Sequence, residues 1–497
     1  MSNLQRTASA PGELTARRKQ ISLLILCAAV FLDSLDNSVL GVSLPSIKHA
    51  LNLTDGSLQW LVSGYTVGYG GFLLLGGRVA DLWGRKRTFM VATVVFIIAS
   101  LLGGVFTDGS LLVATRVLKG IAAGFTAPAA MSLITTTFRE GSERNRALGI
   151  FAMTGAGGYS FGLVLSGVLT EINWRLVFFV PALIALGVLI ASPLIVGDRA
   201  DATPRSRGGF DLGGAISATV GVMLLVYGLV QAPAWGWGSP SAIGTLAGAV
   251  VLLIGFVLIE SRHRAPLVPL SIFRSRTLSS ANLVSVVWAC STIGWQFVAS
   301  LYVQETLGYS ALQTAFAFLP LGLVIVVTAK YASGALVGRF GVRAVATAGM
   351  LLQGLGVLLF LRIGHHSDFA TVLLPAILIH GIGNGLVYPT VNIAGVSGVA
   401  DERQGVASGL ITAAYQIGAG IGVAVLAAVL TATATTTGPG VGVTNYRWAF
   451  MVAVVFSAVG VLVALFGIRP RSASTAVGGG SGSQTATAAA PTTAAAN

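Results

Sequence analysis

In the stretch AAVFLDSLDNSVLGVSLP (28–45), Asp33 and Asp36 interrupt an otherwise apolar run. If the run is helical, residues three apart share a face, and at 1.5 Å of rise per residue the two carboxyls stand about 4.5 Å apart along the axis. Burial and mutual repulsion oppose ionisation of both unless a cation compensates. Such a pair suits a site that loads a proton on one side of a barrier and exchanges it for a solute on the other. We read Asp36 as the main coupling or substrate-cation site and Asp33 as its partner in the same cavity. The bland reading is that either one only hydrogen-bonds a neighbouring helix.

Other ionisable residues fall in apolar surroundings. In LLVATRVLKGIAAGFTAP (111–128), Arg116 has no water to retreat to, so it is expected to face a central cavity and meet an acidic or polar partner. Lys119 adds a second cation nearby. Lys330 either snorkels to the interface or faces the cavity as a counter-charge. His380 heads the polar series Asn384, Tyr388 and Asn392 at intervals of four, which serves interhelical hydrogen bonding or lines a cavity. Tyr65, Tyr69, Trp288 and Trp295, with Gln59, Trp60, Gln296 and Phe297, either pack helices or give a cavity an aromatic lining for bulky amphipathic compounds. Glu260 and Glu305 are assigned to solvated helix ends. Cys27 and Cys290 both lie in apolar runs and show neither disulfide nor metal spacing, so no metal and no cofactor is expected. There is no Gly-x-x-x-x-Gly-Lys-Ser/Thr loop for ATP and no His-Glu-x-x-His, so neither ATP-driven work nor an enzyme is expected.

The elements that must position these residues follow from composition. Of 497 residues, 54% are hydrophobic and 9% charged, against roughly 25% charged in soluble domains. Windows long enough to cross a bilayer recur at roughly 21–43, 57–77, 89–106, 111–134, 148–169, 176–196, 212–231, 242–260, 279–301, 314–336, 344–363, 370–394, 406–430 and 447–468. Backbone groups in hydrocarbon must be satisfied internally, so these about fourteen windows read as transmembrane helices of an all-α polytopic membrane protein. The segment ARRKQISLLILCAAV lacks a small-residue cleavage site and reads as a retained first span rather than a signal peptide.

The net charge of +13 is unevenly placed. With both termini cytoplasmic, Lys48, Arg175, Arg362 and Arg447 fall outside and Arg116, Lys119 and Lys330 within spans, leaving 23 of the 30 Lys and Arg inside. That is the positive-inside pattern, and it accounts for the basic balance without nucleic acid. The expected partners are the lipid bilayer, protons and a small amphipathic substrate, with the chain a monomer in the cytoplasmic membrane.

An internal repeat is visible. GGRVADLWGRKR (76–87) and SGALVGRFGVRA (333–344) align Gly77 with Gly334, Trp83 with Phe340, Gly84 with Gly341 and Lys86 with Arg343. The expected plan is a tail (1–20), a six-helix bundle (21–197), a linker with two inserted helices (198–277), a second six-helix bundle (278–468) and a low-complexity, disordered tail (469–497).

These residues resemble the major facilitator superfamily, in particular its fourteen-span drug:proton antiporters, over about residues 20–470. LDNSVLGVSLP (35–45) matches the first-span signature, with Asp36 at the acidic position. Gly77, Asp81, Gly84, Arg85 and Lys86 match the loop motif that, by the resemblance, latches the cytoplasmic side; the alternative is a plain topology signal. Arg116 and Gly120 match the family's Arg-x-x-Gln-Gly, with Lys119 in place of glutamine, and the resemblance links this arginine to proton coupling. Gly149, Gly158, Gly162 and Gly167 keep the antiporter glycine ladder, while Leu163 replaces its proline and Ser166 a late glycine. The resemblance implies proton-driven efflux of drugs or an antibiotic by alternating access, with a proton-coupled carrier of one metabolite as the alternative.

Overall fold

The computed structural model describes residues 11–53, 55–138, 142–195, 211–263, 266, 268–399, 404–432 and 442–469. The first ten residues, most of the polar linker and the low-complexity tail lie outside the described residues. Among the described residues there is no strand, and fourteen α-helices follow one another. They are α1 (Pro11–Leu51), α2 (Asp55–Trp83), α3 (Arg85–Val105), α4 (Gly109–Thr137), α5 (Ser142–Asn173), α6 (Leu176–Ala191) and α7 (Leu212–Trp235). The second seven are α8 (Pro240–Arg262), α9 (Arg276–Leu301), α10 (Ala311–Val327), α11 (Gly334–Leu359), α12 (Leu374–Val396), α13 (Gln404–Ala432) and α14 (Val443–Gly467).

Their limits follow local chemistry. α1 starts ahead of the apolar window because Pro11 suits a first helical position and the residues after it are mostly good helix formers. Asp108, Ser239 and Ser275 each accept a hydrogen bond from the backbone three residues on, and Ser310 with Gln313 makes a reciprocal capping box before α10.

Twelve segments among the described residues are long and apolar enough to cross a membrane, by length and composition. This count differs from the fourteen windows read in the sequence for two reasons. α2, rich in Gly, Ser and Tyr, is not among them, and 311–362 forms one 52-residue segment although its helical geometry breaks at Gly341. α8 exposes Val251, Ile254 and Leu258 with little burial elsewhere, as a helix facing lipid should.

The helices pack in two related groups. Within α1–α6, α1 lies on α5 and α6, α2 on α4, α3 on α4 and α6. Within α9–α14, α9 lies on α13 and α14, α10 on α12, α11 on α12 and α14. Each pairing recurs eight helices later, and the groups meet through α5 on α10 and α2 on α13, which obey the same relation. The repeat read from the loop motif has a backbone basis: Gly84 has φ 105° and Gly341 φ 79°, a left-handed region that disfavours other residues. α7 and α8 pair with each other, and α7 lies on α2 and α13.

Candidate functional site

Asp36 sits at the centre of a fully buried charge cluster. Its Oδ2 accepts from Arg116 Nη1 at 2.6 Å and its Oδ1 from Lys119 Nζ. Arg116 and Lys119 lie three apart on α4, so both present to α1 from one face. Arg116 Nε also donates to the carbonyl of Leu61 at 3.0 Å, fixing the guanidinium against α2. Aromatic faces enclose the cations: Tyr65 lies 4.7 Å from the guanidinium, and Phe96 and Phe178 lie 4.7 and 5.4 Å from the ammonium.

Asp33, one turn earlier, is different. It is 6% exposed, forms no ion pair among the described residues, and its Oδ2 has no hydrogen-bond partner. Tyr65 reaches only its backbone carbonyl, at 3.4 Å. The cluster thus holds two carboxylates and two cations, but both cations are taken by Asp36. Ionised Asp33 makes the set neutral; protonated Asp33 leaves it carrying one positive charge.

The second helix group has a buried polar core without charge. Asn384 Oδ1 accepts from Trp288 Nε1 at 2.7 Å and from Thr292 Oγ1 at 3.0 Å, and Gln353 Nε2 donates to Thr292 Oγ1 at 3.0 Å. His380 is fully buried against Trp295, ring centroids 4.2 Å apart, with Nδ1 3.3 Å from the Gln353 carbonyl. His380, Trp295 and Tyr65 are all fully buried between helices. Of the expected stripe, Tyr388 is exposed and packs on Trp288, whose ring also meets Tyr415. Lys330 does not join any buried set: it is exposed in a π-helical turn (Thr328–Ser333), its ammonium 4.9 Å from the Tyr331 ring.

Polar contacts also tie the two groups together at the C-terminal end of α1. Ser300 Oγ donates to the Gly41 carbonyl at 2.6 Å, Gln304 Nε2 to the Val42 carbonyl at 2.9 Å, and Tyr159 to Gln296 Oε1. Lys48 pairs with Glu305 at 3.0 Å. Glu305 is thus a bridging residue rather than a solvated helix end. Glu260, by contrast, is buried, accepting from the Val268 backbone at 3.3 Å.

A family model of the Major Facilitator Superfamily matches residues 26–423, with a second, overlapping match over 329–494. The chain belongs to the Major Facilitator Superfamily. It is 36% identical over 418 residues to the cephamycin export protein of Amycolatopsis lactamdurans, covering 83% of this chain and 85% of that one. It is 35% identical over 408 residues to the puromycin resistance protein of Streptomyces alboniger, covering 81% and 80%. Among solved structures, the nucleoside transporter NupG aligns with a TM-score of 0.64 at 10% identity over 91% of this chain and 100% of that one. The POT family transporter PepTSo aligns with a TM-score of 0.64 at 17% identity over 89% and 97%. These two likenesses show the fold. The family and these relatives are transporters, not enzymes.

Within this superfamily frame the motif residues sort by what they touch. The close-packing glycine of the loop motif is Gly76, where a Cβ would overlap the Gly124 carbonyl of α4; at Gly77 it would meet only Pro128, at 3.7 Å. Asp81 is exposed and pairs within its own turn with Arg85 at 3.4 Å, so it reaches no helix of the other group among the described residues. Lys86 donates to the carbonyls of Pro193 and Ile195 at 2.9 and 3.0 Å, tying α3 to the end of α6. In the antiporter ladder, a Cβ on Gly158 would stand 2.5 Å from the Phe31 carbonyl, Gly162 abuts Leu35 and Ser38, and Gly167 abuts Ala311 and Ala315 of α10. Gly149 is exposed with nothing within 4 Å, so it is no part of the packed face. Ser166 donates to the Val39 carbonyl where the motif has glycine, and Leu163 is fully buried where it has proline.

The sequence reading left Lys119 without a role and missed the Lys48–Glu305 bridge and Gly76. For Lys119 the signal was present, since a cation three residues from Arg116 must share its face. The bridge joins residues 257 apart in the chain and leaves no local mark in the sequence.

Proposed function

We propose that the protein exports an amphipathic drug or antibiotic across the cytoplasmic membrane in exchange for protons, by alternating access of the two helix groups. In this reading it acts as a monomer with cytoplasmic termini and fourteen crossings, α2 and the two limbs about Gly341 included. Export is supported by relatives whose names record antibiotic export and resistance.

The observation that carries proton exchange is Asp33, a buried carboxyl beside an ion cluster in which Asp36 holds both cations. Asp36 is then the fixed anion and Asp33 the exchanging group, the reverse of the emphasis drawn from sequence. A proton on Asp33 leaves the cluster positive and repels a cationic substrate; its departure makes room for one. Competition of that kind couples the two fluxes without simultaneous occupancy.

The contacts at the C-terminal end of α1 support a state closed on the external side.

The test is proton-driven dye uptake into everted vesicles. Asp33→Asn should abolish coupled uptake; normal coupled uptake by Asp33→Asn would sink the reading. A second reading, a carrier of one defined metabolite, draws on Leu163 in place of the motif proline. Susceptibility profiling of an efflux-deficient host, with and without a protonophore, separates the two: resistance to several unrelated drugs excludes it.

A further inference from the structure

The inserted helix α7 is more than a spacer between the two groups. Thr219 Oγ1 donates to the Gly71 carbonyl of α2 at 2.8 Å, and Val226 packs on Gly420 of α13, so α7 bridges the seam where the groups meet. Beneath it lies a cavity of about 210 Å³ bounded by α2, α7, α9 and α13. Its walls include Gly71, Leu74, Ala218, Ala413 and Ile417, and Asn282 is the one polar side chain among them. The Asn282 amide donates to the Leu278 carbonyl, which leaves its own carbonyl as the acceptor on offer.

Three features define what such a cavity takes. It exceeds the roughly 150 Å³ of an apolar cavity that stays dry and binds benzene, so it admits a substituted ring. It lies near the starts of α7, α9 and α13 and the end of α2, within the apolar length of each helix, which is the depth of a bilayer's hydrocarbon. Its wall residue Ala414 is followed in α13 by Tyr415, which packs on Trp288 with ring centroids 4.8 Å apart.

We propose that this cavity is an entry site for the apolar ring portion of a membrane-dissolved amphipathic substrate, with α7 as its lid. The site rests on the export reading and adds where the substrate arrives. Small side chains keep the lid close without filling the space. A single side-chain hydrogen bond, from Thr219, joins α7 to α2 among the described residues; its other contacts are apolar, including Tyr227 on Trp60 with ring centroids 5.5 Å apart, and apolar contacts can slide when the groups rock.

The test is binding of radiolabelled tetraphenylphosphonium, an amphipathic cation bearing phenyl rings, to the full chain in nanodiscs. Ala218→Trp and Ala413→Trp fill the cavity from opposite walls and are expected to weaken binding about tenfold, while Val251→Trp on the lipid-facing side of α8 leaves it unchanged. Each variant is accepted only if it elutes and melts as the wild type; Val222→Phe replaces any tryptophan variant that does not. Fillers that bind as the wild type does, or a wild type that does not bind the probe, overturn the site. Vesicle uptake by Asp33→Asn is read separately. Retained uptake there defeats the proton-exchange reading, whereas fillers without effect in the binding assay defeat only the entry site.

Discussion

At the scale of single residues, the cluster around Asp36 separates a carboxylate paired with two cations from one, Asp33, paired with none among the described residues. Removing one partner of a buried ion pair leaves an uncompensated charge and costs about 3–5 kcal/mol. Asp36→Asn strands both Arg116 and Lys119, so it should lower the folded yield and the thermal midpoint of the purified protein, whatever it does to transport. Lys119→Gln is milder. It leaves Arg116 on Asp36 and removes the cation that makes the cluster neutral when Asp33 is ionised. We expect near wild-type melting and proton-driven vesicle uptake slowed at least about tenfold, which is about 1.4 kcal/mol on the barrier. Unchanged uptake would place Lys119 outside the coupling machinery. Asp33 and Asp36 were both legible as misplaced carboxylates, but their division of labour was not. The sequence reading favoured the motif position, and the cations that decide the matter come from a different helix.

At the scale of helices, glycines matter only where two backbones approach. Gly76→Ala drives a methyl into the Gly124 carbonyl and Gly158→Ala puts one 2.5 Å from the Phe31 carbonyl. Each should destabilise by about 1–3 kcal/mol as overpacking does. Gly77→Ala meets ordinary contact and Gly149→Ala none, so these two should melt as the wild type or above it, by up to about 1 kcal/mol of helix propensity. A fluorescence-based melting series over the four variants tests the ordering. Equal losses at all four would mean that the motif spacing rather than packing governs. Helix existence was legible from hydropathy windows because each span satisfies its own backbone. Which glycine of a pair faces its neighbour was not, since adjacent positions differ by about 100° around the helix.

At the scale of the whole molecule, the bridge from Lys48 to Glu305 and the contacts of Ser300 and Gln304 hold the two groups together at one end. Alternating access requires that this end part. A Lys48→Cys, Glu305→Cys double variant should crosslink with a short bifunctional thiol reagent, lose transport, and, with a reducible reagent, regain it on reduction. Transport by the fully crosslinked protein would rule out opening at that end. Glu305→Gln should have a small effect, since a half-exposed pair contributes about 1 kcal/mol or less.

Local order fixed much of this protein in its amino-acid sequence. Hydropathy gave the helical membrane class, the Gly84 and Gly341 loops gave the repeat, and a three-residue spacing put Asp33 with Asp36 and Arg116 with Lys119. All these signals act within a few turns of one helix. Tertiary structure alone decided which faces meet: that α4 turns both cations onto Asp36, 80 and 83 residues away, and leaves Asp33 without one. It also decided that His380 is packed away, that Lys330 is outside, and that α7 covers the seam. Those outcomes depend on close approach between helices far apart in the chain, where shape and burial select one pairing among many with the same local pattern.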